Sequence, residues 1–256
     1  MSTASLLCYP TVPLTWLDST AATALDLLAA ATNGVCVVRC PLNLPIDVLA
    51  KLTNTLSYDE QKQSERYRQA ADRRRFVVGR GGLRWLVGYV TGRPPTDVVF
   101  VRGEYGKPEL SDEPGWYVNV SHAGEWVLLA MARQPVGVDV EWNNPDFQYQ
   151  DLLPTCFSPA EQEALRAAGR VGAAAERHLF YTLWTRKEAL LKATGLGLTD
   201  QLTAISVLDG PQTAPAPAIG ADGSWYLQSF AVFDKYPAAL ACPSAVPIQA
   251  FTLTDQ

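Results

Sequence analysis

Between Val98 and Trp142 the chain reverses direction repeatedly, and this constrains the fold more than any other stretch. VVFVRG (98–103) is followed by a turn over Glu104–Pro108. Trp116–Ser121 then alternates apolar and polar, Ala123-Gly124-Glu125 turns, Trp126–Ala132 returns, and Gln134-Pro135 turns into Val136–Trp142. Connections this short leave no room for a helical crossover, so these segments read as short antiparallel strands. Helical patterns flank them. Ser57–Tyr89 is mostly helical, with a break expected around Gly79–Gly82 and a buried face at Leu83, Leu86, Val87 and Val90. Pro94-Pro95 ends that region. In FSPAEQEALRAA (157–168), Ser158 at N-cap, Pro159 at N1 and Glu161 at N3 form a capping box. A second long helix runs from about Ala174 to Ala193 and stops at Gly195 and Gly197.

The remaining elements complete an α+β reading. A helical stretch near Thr20–Ala31 ends at Asn33-Gly34, VCVVRCPL (35–42) is a strand, and Asp47 caps a helix towards Leu56. Further strands are expected at Ala204–Leu208, Trp225–Phe233 and Ala238–Cys242, around a Pro/Ala/Gly-rich loop near 210–224. The second half loosely echoes the first. The expected organisation is an N-terminal extension (1–34), one α+β half (35–142) and another (143–256), with a seam near 141–150.

Composition narrows the function. Of the 256 residues, 48% are hydrophobic and 18% charged, an ordinary globular balance. The apolar stretch from Ala21 to Val38 is interrupted by Asp26 and Asn33, so it does not read as a membrane span. The opening MSTASLLCYP has neither a basic residue nor a sustained apolar run, which argues against a secretory signal and for the cytoplasm. Five dispersed cysteines and only two histidines do not assemble a zinc site. The cysteines read as small buried apolar residues, and any metal should be a hard, oxygen-bound one. A net charge of −5 argues against general nucleic-acid binding. Yet Arg66, Arg68, Arg73, Arg74, Arg75, Arg80 and Arg84 fall within one helical stretch against the single acid Asp72. Such a cluster in an acidic chain fits an anionic ligand of limited size, or simply a solvated helix face.

Several motifs are ambiguous when taken singly. On the strand GVDVEW, alternation puts Asp139 and Glu141 on one face, about 6–7 Å apart, with Val138 and Val140 on the other. Two carboxylates at that spacing suit one Mg²⁺ completed by water and phosphate, or the exposed face of an edge strand. In FYTLWTRKEALLKATGLGL, Glu188 and Lys192 have the order of a surface ion pair, worth about 0.2–0.5 kcal/mol. That pair does not account for Trp184, one turn earlier on the same stripe. Ser121-His122 ends a strand without a relay partner, so a hydrolase triad is unsupported. Gly106-Lys107-Pro108 puts a cation on a tight turn, and neither common phosphate-binding loop occurs.

Together these blocks carry a resemblance. An arginine-bearing helix, GKP, NVSHAGEW, GVDVE, FSPAE and WTRKEALLKATGLGL, in that order, closely resemble the 4′-phosphopantetheinyl transferases of the surfactin-synthetase type over about residues 35–245. The resemblance implies a pseudo-twofold pair of similar α+β halves with the active site in the cleft between them. It implies transfer of phosphopantetheine from coenzyme A to a serine of acyl, peptidyl or aryl carrier proteins, with release of 3′,5′-ADP. Mg²⁺, or Mn²⁺ in its place, would be held by Asp139, Glu141 and Glu188. Glu188 would be the general base and Lys192 would assist the leaving group, with Lys187 adding charge nearby. Asp139 lies at the pyrophosphate, and Ser121 and His122 match a pair that contacts phosphate. Lys107, with the Tyr105-Gly106 backbone, matches the loop at the adenine and 3′-phosphate. Arg75 matches a 3′-phosphate ligand, with Arg74 as a substitute, and Arg80 and Arg84 align with common family positions. A monomer is expected, and the charge and the interrupted apolar stretch argue against nucleic acid and membrane as partners.

One departure stands out. Where the founding member carries lysines before the arginine helix, this chain has Glu60 and Gln63, so Lys62 or Arg66 would have to replace that contact. Glu161 occupies a position usually acidic in the family, for which capping is a sufficient role. A coenzyme A-binding module without turnover is the alternative, against which the intact set Asp139, Glu141, Glu188 and Lys192 argues.

Overall fold

Three helices begin on reciprocal capping boxes, Thr23 with Asp26, Ser57 with Glu60 and Ser158 with Glu161. The computed structural model describes residues 13–18, 22–103, 106–195, 202–208, 212–213 and 224–254. In chain order, β1 (Trp16–Asp18), α1 (Ala24–Asn33), β2 (Val35–Pro41), α2 (Ile46–Thr55), α3 (Tyr58–Arg66) and α4 (Ala70–Thr91) come first. The antiparallel block holds β3 (Phe100–Arg102), β4 (Pro108–Leu110), β5 (Tyr117–Ala123), β6 (Trp126–Ala132) and β7 (Gly137–Val140). Then follow α5 (Leu153–Cys156), α6 (Pro159–Val171), α7 (Ala173–Thr194), β8 (Gln212–Thr213), β9 (Ser224–Phe233), β10 (Tyr236–Cys242) and β11 (Ile248–Thr252).

The strands form a five-stranded sheet, β1-β11-β2-β6-β5, a four-stranded sheet, β7-β10-β9-β8, and the small hairpin β3-β4. Alternation along β2 shows how they stack. Cys36, Val38 and Cys40 enter a core with α1, α2 and α4, whereas Val35 and Val37 face Phe230, Val232 and Leu240 of the second sheet. A third core seats α6 and α7 on the other face of that sheet, through Ala239 and Ala241. Two sheets therefore lie face to face, with helices outside each. The fold is α+β, as expected.

Differences from the sequence reading have identifiable causes. The helical break falls at Tyr67–Gln69, and α4 runs on through Gly79, Gly81 and Gly82. These glycines serve close packing: a Cβ at Gly81 would lie 2.7 Å from the Leu52 carbonyl oxygen, and one at Gly82 3.2 Å from Leu129. Asp47 lies in the first turn of α2, but Pro45 occupies the cap. The strand expected at Ala204–Leu208 is absent: a 3₁₀ turn over Leu202–Ala204 leads into irregular backbone over 205–208. Residues 24–33, expected in an extension, bury Leu27, Ala30 and Ala31 in the first core. β11, which was not anticipated, inserts in parallel between β1 and β2, so the end of the chain belongs to the first sheet. Cys36, Cys40 and Cys242 are buried free thiols and Cys156 is half-buried, which leaves them as packing residues. Among the described residues, no helix is long and apolar enough to cross a membrane.

Candidate active site

The site is built where β7 lies flush against α7. A side chain at Gly137 would collide with the Ala189 carbonyl oxygen and the Ala193 amide nitrogen, so only glycine allows this approach. On one side β7 pairs with β10, Asp139 opposite Ala239. On the other, side chains of β5 replace a backbone ladder: Val138 N–H donates to Asn119 Oδ1 (2.9 Å) and Val140 N–H to Ser121 Oγ (3.3 Å). Val138 and Val140 thereby enter the core between the sheets, and Asp139 turns towards α7.

Asp139 is buried. Its Oδ1 accepts from Ser121 Oγ (2.8 Å) and from Lys192 Nζ (2.6 Å), and Lys192 also donates to Ser121 Oγ (2.9 Å). Its Oδ2 is buried without a hydrogen-bond partner. An anionic oxygen left in that state is costly and marks a place for a missing donor or cation. Glu141 accepts from Trp184 Nε1 (3.2 Å), which explains the tryptophan one turn before Glu188. Burial, then the Asp139 charge, pushes the Glu141 carboxyl up to about 7, with a smaller push from Glu188. Glu188 is raised by burial and by Asp139, with Lys192 opposing, and among the described residues no side-chain hydrogen bond or ion pair engages its carboxylate. Glu141 and Glu188, each raised by burial and by the Asp139 charge, suit a hard cation together with Asp139 by their oxygen chemistry. They do not by themselves close a metal site, since no group of three histidine, cysteine or acidic side chains among the described residues is arranged to hold an ion. Oxygens from a ligand or water would have to complete the shell.

Two cavities open on either side of His122. One of about 240 Å³ is lined by Tyr67, Phe76, Gly79, Pro108 and the Arg75 and Arg80 side chains. The other, about 370 Å³, reaches Glu141 and is walled by Trp142, Phe147, Phe180 and Trp184. His122 is exposed between them. The protein packed around the ring, then the charges of Arg75 and Lys192, lower its pKa. Arg75 bonds Asp72 (2.8 Å) and the Gly124 carbonyl (3.2 Å), while its buried Nε has no partner.

The sequence matches known proteins. Residues 46–134 fit the family model described as 4′-phosphopantetheinyl transferase, N-terminal, and residues 135–241 fit that of the 4′-phosphopantetheinyl transferase superfamily. The chain is 35% identical over 225 residues to 4′-phosphopantetheinyl transferase HetI of Nostoc sp., spanning 84% of this chain and 90% of that one. The chain belongs to the 4′-phosphopantetheinyl transferase superfamily. It is also 30% identical over 152 residues to the transferase Sfp of Bacillus subtilis (59% and 66% of the two chains). Against the transferase psf-1 of Bacillus pumilus it is 30% identical over 184 residues (66% and 72%). It is an enzyme of this kind.

Within this transferase, the structure brings together Asp139, Glu141, Glu188, Lys192 and Ser121, and sets His122 and Arg75 along the adjoining cavity. Two expected ligands go elsewhere. Lys187 is buried beneath α7, where its Nζ pairs with Glu161 Oε2 (3.0 Å) and donates to the carbonyls of Leu202 (2.9 Å) and Ile205. Burial lowers its pKa against the opposing Glu161 charge. It is a structural residue, because every donor is spent inside the fold. Lys107 turns its Nζ to the carbonyls of Lys192 (2.6 Å), Val136 (3.3 Å) and Ala193 (3.3 Å), away from the Arg75 cavity. Tyr105 lies outside the described residues. Arg74 donates to the Leu44 carbonyl, and Arg84 is buried on Glu60 (2.7 Å), which also pairs with Arg80 (3.4 Å). Lys62 pairs with Glu65 on the surface. Glu161, besides capping α6, accepts Lys187 and the Val207 amide (2.7 Å). Sequence reasoning missed Asn119 and Asp72. Asn119 carried a signal, since in NVSH it shares the β5 face of Ser121 two residues on.

Proposed function

We propose that this protein transfers the 4′-phosphopantetheine group of coenzyme A to a serine hydroxyl of an acyl, peptidyl or aryl carrier domain, releasing 3′,5′-ADP. The observation that carries the reading is the convergence of three carboxylates and Lys192 beside an arginine-lined cavity, with the buried Asp139 Oδ2 unpartnered. Tyr67, Phe76, Gly79 and Pro108 line an apolar part of the cavity suited to an adenine, and Arg75 stands at its wall for a phosphate. His122, on the partition between the cavities, is placed for the pyrophosphate, with Ser121 behind it fixing Asp139 and Lys192.

The carrier serine oxygen attacks the phosphorus that bears the pantetheine arm, and the bond to 3′,5′-ADP breaks. Glu188 receives the serine proton. Lys192 places an ammonium where charge grows on the departing phosphate. Asp139, Glu141 and Glu188 would hold Mg²⁺ or Mn²⁺, which when bound supplies charge neutralisation at the pyrophosphate. The aromatic cavity at Trp142 and Phe147 leaves room for the pantetheine arm.

The test is incubation of the full chain with coenzyme A, Mg²⁺ and a panel of apo-carriers, reading the mass of each carrier. Gain of one phosphopantetheine, abolished by excess EDTA and restored by Mg²⁺, is expected. No mass gain on any carrier overturns the reading, and undiminished transfer in chelator overturns the metal assignment.

A further inference from the structure

Lys107 spends its ammonium on the wrong partners for a phosphate ligand and the right ones for a splint. Its Nζ contacts the carbonyls of Lys192 and Ala193, which close the last turn of α7, and that of Val136, one residue before β7. Helix-terminal carbonyls have no partners within the helix, and a cation there is favoured by the helix dipole. The junction it spans is the one where Gly137 touches Ala189 and Ala193. Three residues beyond Val136 stands Asp139, and Lys192 itself reaches across to Asp139 and Ser121.

We propose that Lys107 is a positioning residue of this transferase: by tying the end of α7 to the start of β7, it sets Lys192 against Asp139 for the chemical step. The inference rests on the transferase reading above for its kinetic consequence, but not for its geometry. Burial pushes the Lys107 pKa down to about 8 against the charge of Glu109, consistent with an ammonium drawn off the surface into this junction. The cavity on this side, which Lys107 lines with Trp116, Tyr117 and Gly195, is separate from the one lined by Arg75 and His122.

The experiment compares wild type, Lys107→Met and Lys107→Arg with coenzyme A and with 3′-dephospho-coenzyme A. Positioning predicts that Lys107→Met loses kcat about ten- to a hundredfold with both substrates, as small misplacements do. KM for coenzyme A should stay within about twofold of wild type, the scatter expected when no substrate contact is lost. Lys107→Arg, which keeps charged donors, should recover an intermediate kcat. A raised KM for coenzyme A alone, with kcat intact, would make Lys107 a 3′-phosphate ligand and overturn the proposal. If Lys107→Met does not fold, Lys107→Arg decides, since lowered kcat supports positioning and raised KM opposes it. Amide exchange of residues 190–194 and 137–140 gives a readout independent of turnover. It should quicken in the variants, and unchanged exchange sinks the splint. Wild type that modifies no carrier would remove the proposed function while leaving this exchange result standing.

Discussion

Helix α7 carries two lysine–carboxylate pairs only five residues apart, and they are built for opposite purposes. Lys187 and Glu161 meet at 3.0 Å with side chains 1% and 0% exposed. Around them every polar atom is used: Glu161 accepts Ser158 N–H and Val207 N–H, and Lys187 donates to two carbonyls. Lys192 and Asp139 meet at 2.6 Å, but Lys192 is 29% exposed and Asp139 keeps a buried oxygen without a partner. The sealed pair is satisfied, so it has nothing left to offer a ligand. The open pair is under-satisfied and lies beside Glu141 and His122, which line cavities, so it does. Satisfaction, more than the presence of charge, separates architecture from chemistry here.

The largest effect should separate the two ends of the helix. Glu188→Gln and Lys192→Met should each lower kcat by about 10²–10⁴, the usual worth of a general base or acid. Glu188→Gln should keep a melting temperature near that of wild type, whereas Lys192→Met, which leaves the buried Asp139 without its cation, should melt lower in the absence of metal. Near-normal turnover in either variant would return that residue to an ordinary surface role. At the sealed pair the signs reverse. Lys187→Met leaves Glu161 charged and unpaired in the core, a change that costs about 3–5 kcal/mol and on the order of ten degrees in Tm. The rate per folded molecule should be unchanged. Lost turnover in a well-folded Lys187→Met enzyme would break the comparison.

Much of this division was legible in the sequence, and the part that was not has physical causes. Alternation in GVDVEW turned Asp139 and Glu141 one way and the valines the other, because strand periodicity is local. Ser158, Glu161 and Gly195 marked helix ends for the same reason. The role expected of Lys187 failed although the helix itself held the answer. At 3.6 residues per turn, Glu188 and Lys192 lie about 40° apart, but Lys187 and Lys192 about 140°. Lys107 and β11 could not be placed locally. The partners of Lys107 lie up to 86 residues away in sequence, and β11 pairs with strands at the opposite end of the chain. Nor did the run of arginines show that Asp72 and Glu60 already hold Arg75, Arg80 and Arg84.

That prior pairing sets the size of the next effect. Arg75→Ala removes a charged donor from the nucleotide cavity and should weaken coenzyme A, with little change for 3′-dephospho-coenzyme A. A charge-assisted bond is worth about 1.5–3 kcal/mol. Arg75 must share its guanidinium with Asp72, so a loss of about tenfold, the low end, is expected. Calorimetry at fixed ionic strength checks it, and equal weakening of both ligands would reduce Arg75 to diffuse field. Asp72→Asn should move the other way and tighten coenzyme A, because the phosphate would no longer compete with a carboxylate.

The smallest effect tests whether the open site carries its strain when metal-free. Glu141 has its pKa raised from 4.5 to about 7 by burial and by Asp139. Between those values the folded protein binds more protons than the unfolded chain, so stability falls as pH rises through that window and levels off above about 7. Glu141→Gln cannot ionise, yet its amide oxygen can still accept from Trp184. In chelator at pH 8 the variant should melt a few degrees above wild type, whereas near pH 4, where Glu141 is protonated in both states, the two should coincide. Adding Mg²⁺ should raise wild type more than the variant and close the gap, because an ion that binds only the folded state stabilises in proportion to its affinity. A structural carboxylate would behave as Glu161 should: Glu161→Gln ought to melt lower at pH 8, having lost its charge beside Lys187. If Glu141→Gln also melts lower in chelator at pH 8, the two carboxylates are of one kind, and the line between the sealed and open pairs has to be drawn elsewhere.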